Sequence, residues 1–220
     1  VKTVCEKDAD YVYTDEATFT SPNLDDLIVL HFKPDYSPDN LRANNYICHF
    51  FVVRREIAEK TGGLRPEYNG AQDYDYIFRC TEMAGKIVHI PRVLYHWRVH
   101  SASTADNPAS KLYAYEAGKK AIEGNLARCG EEGTVTLRSD YGFYDVDYKL
   151  RGTPLVSILI PNKDQADTLR TCLESIQKKC TYPSYEILII ENNSTEEATF
   201  SYYKELEAQG IRVLKYPEQG

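Results

Sequence analysis

Short apolar runs alternate with amphipathic segments along the last third of the chain. Residues 156–161 (VSILIP), 185–190 (YEILII) and 211–216 are rich in aliphatic side chains, which predicts three strands. Residues 168–179 and 195–209, between these strands, carry apolar positions at helical spacing. The order β-α-β-α-β predicts an α/β parallel sheet with right-handed crossovers. The continuous apolar runs are typical of strands that are covered on both faces.

The first two-thirds of the chain has a more mixed pattern. Strands are predicted for residues 9–16, which end in two acids, for the apolar run 46–54, and for residues 86–90, which stop at Pro91. Helices are predicted for residues 55–60, 73–84 and 111–128. A change of composition near Gly152 predicts a boundary between residues 1–152 and 153–220.

Charge and composition exclude some classes of partner. The net charge of −7, without a basic stripe, argues against nucleic-acid binding. No apolar run approaches the ~20 residues of a membrane span, and no leader sequence is visible. The six cysteines include no Cys-x-x-Cys pair, and most lie in apolar stretches, as small buried thiols of a reducing compartment do. We therefore expect a cytoplasmic protein.

Polar loops follow the first two strands of the predicted parallel sheet. The first loop is Pro161-Asn162-Lys163-Asp164 and the second is Glu191-Asn192-Asn193-Ser194. Ligands of parallel sheets bind beyond the carboxyl ends of the strands, and the amides at helix N-termini favour anions. The alternative is that Asp164 and Ser194 only cap helices. Position alone leaves both interpretations open.

The stretch VSILIPNKDQADTLRTCLESI, with the later YEILIIENNST, resembles the opening of family 2 glycosyltransferases, which have the Rossmann-like GT-A fold. In that family the two loops hold the base and ribose of a nucleotide-diphospho-sugar. Asn193-Ser194 matches the family's Gly-Ser with one substitution, and Glu191-Asn192 replaces the usual pair of aspartates. The nucleotide-binding residues that the resemblance implies are Pro161, Asn162, Lys163, Glu191, Asn193 and Ser194.

The first part of the chain resembles the other end of the same fold. The resemblance is carried by residues 10–16 and by HFKPDYSPDNLRANNYICHFFVVRR, NGAQDYDYIFRCTE and IVHIPRVLYHWRVHSAST. It implies that residues 1–152 are the acceptor-side half of one glycosyltransferase domain and residues 153–220 the nucleotide-binding half of a second. The fold would then be present as a C-terminal half followed by an N-terminal half. The parent is expected to be a bacterial tandem enzyme of cell-surface polysaccharide synthesis, at the inner face of the cell membrane.

Sugar transfer with inversion needs a carboxylate that takes the proton of the acceptor hydroxyl as its oxygen attacks. The resemblance matches Asp73 to the family's catalytic base. The alternative is an acidic residue that favours the helix N-terminus, and the two roles are compatible. His31, His49 and His89 are interpreted as structural. The residues matched to acceptor or diphosphate contacts are Gln72, Asp75, Trp97, Arg98 and His100.

A divalent ion, Mn²⁺ or Mg²⁺, is expected in the intact enzyme, because the family commonly uses one. The resemblance makes His100 a candidate ligand. Asp8-Ala9-Asp10 has the Asp-x-Asp form of the family's metal site, but it precedes a strand instead of following one, so we reject it. The isolated chain is therefore expected to be inactive in transfer.

Two other functions remain open at this stage. A non-catalytic carbohydrate- or protein-binding module would use the 18 tyrosines, whose rings suit sugars and peptides. A metal-dependent hydrolase would use His96 and His100, although the usual spacing of such sites is missing. For a glycosyltransferase the partners are a nucleotide-sugar donor and a glycan acceptor. The two halves are also predicted to associate, within one chain or between two copies.

Overall fold

The computed structural model describes residues 2–20, 27–99 and 112–215, with residues 27 and 28 described by their backbone alone. The chain divides into two compact units, Val1–Lys149 and Leu150–Gly220.

The first unit is built around one buried strand. Strand β1 (Tyr11–Phe19) pairs in parallel with β4 (Ile87–Arg98) along its whole length. On its other edge it pairs in antiparallel fashion with β3 (Phe51–Val53) through its first half and with β2 (Leu27–His31) through its second half. All nine residues of β1 are buried, so this strand is the centre of the unit.

Helices and a hairpin cover this sheet. The helices are α1 (Lys2–Lys7), α2 (Pro38–Ala43), α3 (Arg55–Thr61), α4 (Gln72–Met83) and α5 (Leu112–Cys129), with a 3-10 helix at Pro66–Tyr68. Strands β5 (Gly133–Leu137) and β6 (Tyr144–Tyr148) form an antiparallel hairpin. Side chains of β1, α4, α5 and the hairpin share one core, which includes Tyr11, Tyr13, Ile77, Phe78, Ile122, Val135 and Tyr144.

The three helices predicted in this unit from periodicity are confirmed, but two strands differ from their prediction. Of residues 46–54 only Phe51–Val53 are a strand, because the preceding loop turns inward and Lys33 Nζ binds the carbonyl of Ile47 at 2.7 Å. The sequence predicted that the strand ends at Pro91, but β4 continues through Pro91 to Arg98.

The second unit has the predicted β-α-β-α-β order. Its elements are β7 (Val156–Asn162), α6 (Ala166–Lys179), β8 (Tyr185–Glu191), α7 (Glu197–Ala208) and β9 (Arg212–Lys215). The three strands are parallel in the order β7-β8-β9. The α/β fold class predicted from the sequence is confirmed.

Both helices of this unit pack on one face of its sheet. Leu169 and Leu173 of α6 and Tyr202 of α7 share a core with Ile187 and Ile189 of β8. On the opposite face, Leu159 and Leu214 are 60% and 43% exposed. The prediction that these strands are covered on both faces is therefore wrong for β7 and β9, whereas Leu188 on the same face of the central strand β8 is buried.

Among the residues that the structure describes, none of the helices is long and apolar enough to cross a membrane.

Candidate active site

A cavity of about 300 Å³ lies at the start of α4 in the first unit. Asp73, the second residue of α4, lines it and is half-buried, and Trp97 of β4 lines it as well. The Asn45 Nδ2 amide donates a hydrogen bond to Asp73 Oδ2 at 3.3 Å. Tyr115 and Tyr144 contribute aromatic surface. A carboxylate in a cavity of this kind is placed to accept a proton from a bound hydroxyl.

Asp75 has a different environment, although it lies only two residues further on. Two residues advance a helix by about 200°, so the two side chains leave α4 in nearly opposite directions. Asp75 is fully buried, and its Oδ2 atom accepts hydrogen bonds from Arg65 Nε at 3.0 Å and Arg79 Nε at 2.9 Å. Arg65 Nη2 binds the other oxygen. The expectation that Asp75 contacts acceptor or diphosphate does not agree with this geometry, which gives it a structural role.

The remaining residues matched to acceptor or diphosphate contacts are spread out. Trp97 shares the cavity with Asp73, and its ring centroid lies 4.9 Å from that of His49. Gln72 lies in a separate depression beside Arg65, where its side-chain oxygen accepts a hydrogen bond from the backbone of Gly70. The exposed Arg98 lies over the Phe19 ring at 4.8 Å. His100 lies outside the described residues, so its role stays a prediction.

The loop of residues 44–50 supplies cavity residues that the sequence did not indicate. Asn45, Cys48 and His49 all line the cavity, whereas the pattern assigned most of this loop to a strand and His49 to a structural role. Burial raises the pKa of the Cys48 thiol far above its usual range, and the charges of Asp73 and Glu16 raise it further. Cys48 is therefore a neutral thiol here. The signal that could have found the loop is the polar Asn44-Asn45 pair ahead of an apolar run.

In the second unit, the two polar loops lie at the carboxyl ends of β7 and β8 and bind each other. The Asp164 amide donates to Ser194 Oγ at 2.9 Å, and the Asn192 amide donates to the Asn162 carbonyl at 2.9 Å. The Ser194 amide donates to the buried carboxylate of Glu191. The two loops therefore form one hydrogen-bonded structure.

Asp164 holds the start of the neighbouring helix. Its Oδ1 atom accepts hydrogen bonds from the amides of Thr195 at 2.8 Å and Glu196 at 2.9 Å, just before α7. These bonds, first that of Glu196 and then that of Thr195, lower the pKa of Asp164. The side chain of Asp164 therefore caps neither helix, because the N-cap positions are Gln165 for α6 and Glu196 for α7. It instead fixes the residues that lead into α7.

The six residues predicted to bind the nucleotide all lie on these two loops or at the ends of the strands that lead into them. Asn162 is half-buried and donates to Tyr203 Oη at 2.7 Å, which fixes its amide. Pro161, Lys163 and Asn193 are exposed. Asn193 has a φ of +57°, a left-handed conformation that asparagine tolerates better than most residues. An asparagine in place of the family's glycine is thus compatible with the left-handed backbone conformation at this position.

No metal centre is found among the described residues. Within residues 2–20, 27–99 and 112–215, no three His, Cys, Asp or Glu side chains are placed to share an ion. Asp8 and Asp10 instead pair with Arg54 at 2.6 and 2.8 Å, and Asp10 Oδ2 also accepts hydrogen bonds from the amides of Gly85 and Lys86. The described residues therefore do not form the site of the expected divalent ion.

Comparison with known proteins gives two kinds of match. The model of glycosyl transferase family 2 matches residues 157–220. The O-antigen biosynthesis protein RfbC of Myxococcus xanthus is 45% identical over 170 residues, which are 77% of this chain and 13% of that protein. The uncharacterized protein y4gI of Sinorhizobium fredii is 37% identical over 209 residues, 94% of this chain and 23% of that protein. The chain thus spans less than a quarter of either relative.

The family match covers both polar loops and the whole β-α-β-α-β sheet, while the relatives extend the similarity into the first unit. Over residues 157–220 the chain therefore matches the family 2 glycosyltransferases.

Proposed function

We propose that the chain is part of an enzyme that transfers a sugar from a nucleotide-diphospho-sugar to a glycan acceptor during synthesis of a cell-surface polysaccharide. The family supports the reaction class, and the name of the Myxococcus protein, an O-antigen biosynthesis protein, supports the polysaccharide. The family match is confined to the second unit, whereas the similarity to y4gI covers 94% of the chain. These observations support the proposal that residues 1–152 and 153–220 come from two successive glycosyltransferase domains.

The observation that carries the proposal in the first unit is the half-buried Asp73 carboxylate in a cavity beside Trp97. The acceptor hydroxyl would lie against this carboxylate. As its oxygen bonds to the anomeric carbon of the donor sugar, its proton passes to Asp73. The bond between that carbon and the diphosphate breaks with its electrons, and the nucleoside diphosphate leaves. Attack from the face opposite the leaving group inverts the anomeric carbon.

In the second unit, the paired loops after β7 and β8 would hold the base and ribose of a nucleotide. The side chains of Glu191 and Asn162 each supply an acceptor oxygen for ribose and base, and hydrogen bonds within the unit fix both in place. Pre-ordered polar groups of this kind bind with a smaller loss of conformational entropy.

The test is the substitution Asp73→Asn in the full-length polypeptide that carries this chain, with transfer measured by release of nucleoside diphosphate. The amide keeps the size of the side chain but does not take the proton, so we expect a loss of about 100- to 10,000-fold in kcat. Glu67→Gln, on the exposed 3-10 helix outside the cavity, is the matched control and should retain activity. Activity of Asp73→Asn within a few-fold of the wild type would show that the base lies elsewhere.

A further inference from the structure

A second cavity, of about 560 Å³, adjoins the Asp73 cavity in the first unit. The two share four lining residues, which are Asn44, Asn45, Cys48 and Trp97. The two cavities therefore lie side by side in the first unit.

One side of the second cavity carries a charge pair that is already satisfied. Glu16 and Lys33 have side-chain exposures of 4% and 3%, and Lys33 Nζ lies 3.3 Å from Glu16 Oε2. Lys33 Nζ also donates to the carbonyls of Ile47 and His49, which accounts for all three of its hydrogens. A buried ammonium with three protein partners has no donor left for a phosphate, so this cavity does not suit an anion.

The charge states agree with this geometry. Burial opposes ionisation of Glu16, but His49 and Lys33 outweigh it, so the pKa of Glu16 is lowered and the carboxylate is ionised at neutral pH. Burial lowers the pKa of Lys33, and the Glu16 charge acts in the opposite direction. The pair therefore contributes no net charge to the cavity.

The rest of the second cavity combines aromatic or aliphatic surface with polar groups. Phe32 is 72% exposed and Leu30 is 46% exposed, although both line the cavity. His31 lies between them in sequence, with Nδ1 3.3 Å from Glu16 Oε1, and Asn44 and Asn45 add amides. A pyranose presents the same combination, since its ring has an apolar face and its hydroxyls both donate and accept hydrogen bonds.

We propose that the second cavity is a carbohydrate subsite, which takes the next neutral sugar ring of an acceptor whose reacting end lies at Asp73. The proposal rests on the proposed function, because it assumes that the Asp73 cavity takes the acceptor. Phe32 and Trp97 provide the stacking surfaces, and His31 with the asparagine amides provides hydrogen bonds. The acceptor is then at least a disaccharide, and the second ring adds affinity that a monosaccharide does not have.

The test is binding of defined sugars to the 220-residue chain, measured by saturation-transfer NMR titration. The probes are methyl glycosides of glucose, galactose, mannose, rhamnose and N-acetylglucosamine, each compared with its homodisaccharides. We expect at least one disaccharide to bind about tenfold more tightly than its monosaccharide, which corresponds to one stacked and hydrogen-bonded ring. Phe32→Ala should abolish that gain and leave monosaccharide binding unchanged.

Two further variants separate the alternatives. Val29→Ala is the matched control, because Val29 is an exposed residue of the same strand region that does not line the cavity, and it should keep the gain. Asp73→Asn should also keep the tighter binding of the disaccharide relative to the monosaccharide. Loss of transfer in that variant therefore tests the catalytic base, and loss of the disaccharide gain in Phe32→Ala tests the subsite. The proposal is overturned if no disaccharide shows the gain, if the gain survives Phe32→Ala, or if a nucleoside diphosphate such as UDP or GDP competes for the second ring's site.

Discussion

At the scale of single residues, the first turn of α4 contains two aspartates with opposite environments. Asp73 is half-buried, faces a cavity and has one side-chain partner in Asn45. Asp75 is fully buried between the guanidinium groups of Arg65 and Arg79. A buried carboxylate with two arginine partners stabilises the fold only while all three groups are present, because removal of one leaves uncompensated buried charge.

This contrast predicts different losses of stability for matched substitutions. Asp75→Ala should lower the free energy of unfolding by about 3 kcal/mol, since it leaves Arg79 buried without its carboxylate. Asp73→Ala should cost about 1 kcal/mol or less, because it loses one hydrogen bond at a partly exposed site. Urea unfolding of the two variants measures the difference. Equal losses would contradict the assignment of Asp75 to structure and Asp73 to the cavity.

The cysteines provide a second prediction at this scale. Cys5, Cys129, Cys172 and Cys180 are exposed, so the expectation of buried cysteines is wrong for these four. Cys48 is half-buried and Cys80 is buried, and burial raises the pKa of both thiols. Alkylation requires the thiolate, so at neutral pH the exposed four should react with a maleimide promptly. Cys48 and Cys80 should react only after unfolding. Peptide mass mapping identifies which cysteines carry the maleimide. Prompt labelling of Cys48 in the folded chain would contradict its position between the two cavities.

The sequence indicated Asp73 but not its surroundings. Periodicity predicted helix α4, and the resemblance selected the aspartate in its first turn. The environment of each aspartate depends on a partner that is distant in sequence. Arg65, ten residues before Asp75, binds that carboxylate, and Asn45, which is 28 residues from Asp73, donates to the other. Such partners are set by the path of the chain between elements, which no local pattern encodes.

At the scale of elements, strongly periodic segments were predictable and irregular ones were not. The sequence ended β4 at Pro91, yet the strand continues to Arg98. The pairing register shifts between Thr14 and Asp15, whose partners are Ile90 and Val93, so two residues of β4, Pro91 and Arg92, lie at the irregularity. Proline is tolerated at such bulges and on edge strands, because the amide hydrogen it lacks is not needed there. The pairing register determines whether the strand can continue through Pro91, and a sequence pattern does not show that register.

Asp164 gives the prediction at this scale, because it joins the loop after β7 to the start of α7. Its pKa is lowered in the folded chain, so its contribution is full above the unfolded pKa of about 3.9 and is lost as pH falls through the lower folded value. Asp164→Ala should therefore lower the Tm at neutral pH, and the deficit should shrink in acid below that pKa.

The matched control is Asp167→Ala, which changes an acid in the first turn of α6. It should leave the pH dependence of the Tm, followed by circular dichroism, near that of the wild type. A deficit for Asp164→Ala that is constant with pH would show that the carboxylate charge is not what holds the start of α7.

At the scale of the whole molecule, the chain carries two sets of candidate functional residues in two compact units. The second unit contains the family match and the paired polar loops, and its fold was readable from the sequence because a β-α-β-α-β pattern is local. The first unit lies outside the family match, and its interpretation depends on the Asp73 cavity and on relatives of which the chain spans 13% and 23%. The account therefore depends most on nucleotide binding by the second unit.

The most direct test of that claim is calorimetric titration of the 220-residue chain with UDP, GDP, CDP and dTDP, repeated with Glu191→Gln. We expect at least one of these to bind, and Glu191→Gln to weaken it by about tenfold or more through loss of a charge-assisted hydrogen bond. Glu186→Gln, at the opposite end of the same strand, should bind as the wild type does. Absence of binding to all four, or equal affinity for Glu191→Gln, would contradict the account.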